Sequence, residues 1–82
     1  MSIRRARRIR EGLGLSLFDV ARDTGLRPDR LSRFERSERL LRYDALNTLA
    51  TYYTRTTQRL VSIDELLEIE AADPMPVRDA SS

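Results

Sequence analysis

The chain contains no cysteine, no histidine, no lysine and no tryptophan. Without cysteine there is neither a disulfide framework nor a thiolate metal site. Without histidine the commonest metal ligand and the usual general base are missing. Glycine occurs only at Gly12, Gly14 and Gly25, which does not make a phosphate-cradling loop. Glu65 and Glu68 come nearest to a paired carboxylate, but their spacing suits a solvated helix face. No apolar run reaches the length of a membrane span, and no stretch has the build of a signal peptide. An enzyme, a metal, a cofactor, a small-molecule ligand and a membrane partner are therefore not expected, and a soluble cytoplasmic protein is the default.

What the chain does hold is charge, unevenly placed. Its 82 residues make one domain at most, with a modest core that can lean on a partner subunit. Residues 1–42 carry twelve Arg against six acids, a net of +6. Residues 43–82 carry three Arg against seven acids, a net of −4. The overall +2 hides this asymmetry. All fifteen basic residues are Arg. A coding bias explains the missing Lys but not the clustering. A localised positive field suits a polyanion, and the guanidinium fork suits phosphate and guanine edges.

Hydrophobic periodicity predicts five helices. Ile3 to Leu13 reads as the first, with Ala6, Ile9 and Leu13 inward and Arg4, Arg5, Arg7, Arg8 and Arg10 outward. Gly12 and Gly14 weaken its end. Ser16, with Asp19 three residues on, starts a second helix from Leu17 to Thr24. Gly25 suits its left-handed stop. Pro28 opens a third helix where its missing N–H costs nothing; Leu31 and Phe34 lie inward, and Glu35 or Arg36 closes it. Helix, short glycine turn, helix is the helix-turn-helix spacing. After a loop from Ser37 to Arg42, a fourth helix is expected from Tyr43 to Tyr53. Polar, β-branched residues predict an extended loop from Thr54 to Ser62, and a fifth helix follows from Ile63 to Ala71. Asp73 to Ser82 has two Pro and no periodicity, and reads as a disordered tail beyond a domain of residues 1–72.

Ile9-Arg10-Glu11, Gly14-Leu15-Ser16, Val20-Ala21, Gly25-Leu26, Leu31-Ser32-Arg33-Phe34-Glu35 and Leu46-x-x-Leu49-Ala50 together resemble the Cro/repressor family of DNA-binding proteins. Ser62-Ile63-Asp64-Glu65-Leu66-Leu67 resembles the start of that family's fifth helix. The resemblance implies an all-α, five-helix bundle of the lambda-repressor type. It also implies that the helix from Pro28 reads the major groove of double-stranded DNA. Arg33 is then the first choice for reading a base, as a bidentate donor to guanine, and Arg30 the second. Asp29 could accept from cytosine, although a first-turn acid complementing the helix dipole is the stronger reading. Arg27, Ser16, Leu17, Arg36, Ser37, Arg39 and Arg42 fall where phosphates are met. Arg10 and Glu35 would form an ion pair with a structural role.

The chain departs from the family pattern at several points. Leu17 stands where a phosphate-touching Gln is common, Ser37 where Gly is common, and Thr54 to Arg59 resembles an insertion. Phe18 stands where relatives often carry a polar residue, so it is either exposed at a partner contact or folded back on Ile3 or Tyr43. Tyr43, Tyr52 and Tyr53 fit packing better than base stacking. The functional expectation is a homodimeric transcription regulator reading a pseudo-palindromic operator, with Leu66, Leu67 and Ile69 at the dimer interface. The rival is a protein-interaction module or antitoxin-like adaptor on the same fold. Leu17 and Phe18 favour the rival; the arginine spacing opposes it.

Overall fold

The computed structural model describes residues 2–71, so the expected tail from Asp73 lies outside it. The elements run β1 (Ser2–Arg4), α1 (Arg5–Gly12), α2 (Leu17–Thr24), α3 (Pro28–Glu35), α4 (Tyr43–Thr57), α5 (Ile63–Leu67) and β2 (Ile69–Ala71). Five helices form the bundle, and the two strands close into a small antiparallel ribbon. Each helix buries one stripe. Ala6 and Ile9, Val20 and Ala21, Leu31 and Phe34, Leu46, Leu49, Ala50 and Tyr53, and Leu66 meet in one core, joined by Val61. Removing each large apolar side chain from water contributes roughly 1.5–3 kcal/mol.

The start and stop of α2 are set locally. The Ser16 hydroxyl accepts the Asp19 N–H at 3.0 Å, and Asp19 Oδ2 accepts the Ser16 N–H at 3.0 Å. A shorter Asp thus closes a capping box that more often uses Glu. Gly25 ends the helix at φ 78°, a left-handed conformation that costs glycine nothing. Pro28 takes the first turn of α3, as expected, and α3 ends at Glu35.

Three boundaries differ from the sequence expectation, each for a physical reason. The first helix begins at Arg5, because residues 2–4 pair instead with residues 69–71. Ser2 faces Ala71, Ile3 faces Glu70 and Arg4 faces Ile69, and the Arg5 N–H donates to the Glu68 carbonyl at 2.7 Å. The same pairing ends α5 at Leu67 and makes Ile69–Ala71 a strand. The fourth helix continues past Tyr53 to Thr57, one turn into the expected loop. Thr56 and Thr57 donate back to the Tyr52 and Tyr53 carbonyls, both at 2.6 Å. Such bonds satisfy the threonine hydroxyls within the helix but do not by themselves stabilise it. Thr54 fastens the returning chain, accepting the Val61 N–H at 2.9 Å.

Candidate nucleic-acid interface

The inward stripe of α3 fixes what it presents outward. Leu31, Phe34 and Glu35 are buried, which leaves Asp29, Arg30 and Arg33 exposed, with Arg36 at the C-cap. Arginine recurs at every third position from Arg27 to Arg42. Three-residue spacing keeps neighbours on one helix ridge, so Arg30 and Arg33 stand side by side.

Two of these arginines are engaged by nearby acids. Arg27 Nε lies 3.3 Å from Asp29 Oδ1, and Arg36 Nη2 lies 3.6 Å from Glu38 Oε1. The hydrogen bond from Arg27 holds the Asp29 carboxyl below the ordinary aspartate range. Its acceptor oxygen is therefore already engaged, which suits the dipole-and-pair reading of Asp29 better than base reading. Arg30, Arg33, Arg39 and Arg42 form no ion pair among the described residues.

Arg27, Arg30, Arg39 and Arg42 line a groove of about 300 Å³ between the turn, the start of α3 and the loop before α4. Leu40, Leu41 and Asp44 line it too. Leu40 and Leu41 lie in a loop with no periodicity to read, and Asp44 in the first turn of α4, so none of the three was expected there. Arg33 and Arg36 lie further along α3, and Ser16 and Leu17 sit at the start of α2. Leu17 is half-buried and packs on the core, so only its backbone is available as a polar contact.

Ser37 departs from its expected role. It adopts φ 64°, the left-handed conformation that closes α3. Its N–H donates to the Phe34 carbonyl at 3.0 Å, and the Glu38 N–H donates to the Arg33 carbonyl at 2.8 Å. These two bonds are a Schellman closure with serine in the glycine position. The hydroxyl points inward, without a hydrogen-bond partner among the described residues, and does not face solvent as a phosphate contact would.

Two guanidinium groups tie α3 to the rest of the bundle. Arg10 Nε and Nη2 donate to the two oxygens of Glu35, both at 2.9 Å, and Nη1 donates to the Leu15 carbonyl at 3.0 Å. This is the pair the resemblance implied. The Glu35 hydrogen bond raises the Arg10 pKa above its ordinary value, and Glu35 itself is only 3% exposed. Arg4 packs its guanidinium 5.0 Å from the centre of the Phe34 ring and donates to the Leu67 carbonyl at 2.7 Å. Burial, reinforced by the nearby Glu35 charge, pushes the Tyr53 phenol pKa up, so it stays neutral beneath the pair.

The residues expected at a dimer interface differ in exposure. Leu66 is 0% exposed and belongs to the core of the single chain. Leu67 is half-buried against that core, while Ile69 is exposed on β2. Phe18 is 70% exposed, so of its two expected placements the exposed one holds. Tyr53 is buried, Tyr52 is half-buried with its hydroxyl donating to Asp23, and Tyr43 is exposed.

No curated protein and no solved structure matches this chain. A family model described as a helix-turn-helix domain matches residues 4–62, well over half of the length. With α2, the Gly25 turn and α3 in place inside a five-helix bundle, the protein belongs to the helix-turn-helix domain family, in the Cro/repressor-type arrangement that its sequence resembles.

Proposed function

We propose that the protein is a sequence-specific transcription regulator that binds duplex DNA as a homodimer. One observation carries this reading: four arginines without ion pairs among the described residues stand on the outer face of α3 and in the adjoining loop. The α3 helix enters the major groove, with Arg33 and then Arg30 donating to base edges. Arg27, Arg36, Arg39 and Arg42 meet phosphates, joined by the backbone at Ser16 and Leu17. Two protomers place their α3 helices in half-sites about one helical turn apart.

Selection of bound fragments from a random duplex pool, followed by titration at two salt concentrations, tests this reading. A recovered palindromic site and a steep negative salt slope support it. Failure to bind any duplex at low salt overturns it. That result would favour protein docking at the exposed Phe18, which lines a shallow groove with Leu26 and Pro28.

A further inference from the structure

We propose that two copies of this chain associate through the groove between α4 and α5, each seating its Leu60 in the other's groove. The proposal rests on the dimeric reading above and replaces the interface first expected on the fifth helix. Leu60 is 81% exposed, the highest value among the exposed large apolar side chains of the described residues. It borders a groove of about 440 Å³ with the half-buried Ile63 beside it and the nearly buried Ala50 and Val61 also in its lining. Knob and hole therefore lie side by side on one surface. A two-fold axis matches that arrangement, because each copy then supplies one of each to its partner.

Charge selects the same occupant. Arg55 and Asp64 both line the groove, and neither forms an ion pair among the described residues. A partner of one charge sign would satisfy one of them and oppose the other. A second copy related by a two-fold axis satisfies both, with Arg55 of each protomer facing Asp64 of its mate. The groove shares no lining residue with the arginine groove, and no residue of α3 lines it. Dimerisation here leaves the nucleic-acid surface uncovered.

The test measures mass by sedimentation equilibrium on the full chain without DNA, alongside binding to palindromic and half-site duplexes. The wild type is expected to be dimeric at micromolar concentration. Leu60→Glu should keep its helical circular dichroism and raise the dimer dissociation constant by about thirtyfold or more. It should also lose cooperative binding to the palindrome while half-site affinity and salt slope stay unchanged. Arg55→Glu should weaken the dimer, and adding Asp64→Arg should restore it. A monomeric wild type, an unaffected Leu60→Glu dimer, or no rescue by the double reversal overturns the proposal. A dimer that responds as described yet binds no DNA would leave this interface standing and overturn the regulatory reading. DNA binding by a protein whose mass ignores these substitutions would do the reverse.

Discussion

Arg5, Arg7, Arg8 and Arg10 each reach a carboxylate, whereas Arg30, Arg33, Arg39 and Arg42 reach none among the described residues. The first group is turned to internal use. Arg5 meets Glu65 at 3.1 Å and Glu70 at 2.9 Å, Arg7 meets Glu11 at 2.9 Å, and Arg10 meets Glu35. Residue type and local density are nearly the same in both groups; what differs is the supply of acids. The chain brings Glu65, Glu68 and Glu70 back onto α1 through α5 and β2, while among the described residues nothing comparable covers the α3 face. The +6 of the first half is thus an overestimate at α1, and the charge left free of acids among the described residues sits at Arg30, Arg33, Arg39 and Arg42. Positive field is a property of what surrounds each cation, not of how many there are.

Substitutions on the two sides should separate stability from binding. The largest effect is expected at Arg10. Arg10→Ala leaves a buried Glu35 unpaired and should lower unfolding free energy by about 3 kcal/mol or more in urea titration. Arg10→Met with Glu35→Leu should recover most of that loss. If Arg10→Ala unfolds normally and only weakens DNA binding, the division between the groups fails. Arg33→Ala should leave the urea midpoint unchanged and relax discrimination at one base pair by about 1–3 kcal/mol, read from competition among single-base variants of the selected site.

Arg39→Ala should weaken all duplexes alike and flatten the log–log salt slope by about one. Arg7→Ala should leave that slope untouched, and a matching change in both would place the two groups on one surface. The smallest effect concerns pH. Hydrogen bonds from Arg59 and Arg5 hold the Glu65 carboxyl below the ordinary glutamate value. The stabilisation is therefore complete above that ordinary value of about 4.3 and fades as pH falls through the lower folded value. Because both arginine partners are half-exposed and solvent screens the pairs, Glu65→Gln should blunt acid destabilisation only slightly, as followed by thermal melts between about pH 5 and 2.

What could be read in the sequence follows how far each signal travels along the chain. The limits of α2 and the start of α3 were legible because Ser16, Asp19, Gly25 and Pro28 act within a few residues of themselves. The β1–β2 ribbon was not, because Ile3 and Glu70 reveal nothing of each other at that separation. Leu66 reads the same from sequence whether it packs on its own chain or on another, and the core claims it here. The extra turn of α4 was hidden because threonine is a poor helix former on propensity alone, and the packing that overrides it is tertiary. Of the arginine surface, residue identities were legible in advance; the groove joining Arg27 and Arg30 to Arg39 and Arg42 required the fold.

The serine-bearing closure at the end of α3 has a mechanical result. Two backbone bonds fasten the helix to Ser37 and Glu38, which sets the direction in which the chain leaves Arg33 and Arg36 toward Arg39. A closure of this kind arrives at its target already shaped and loses little backbone freedom on docking. Its selectivity then lies in which polymer fits the spacing rather than in how the closure bends to meet it.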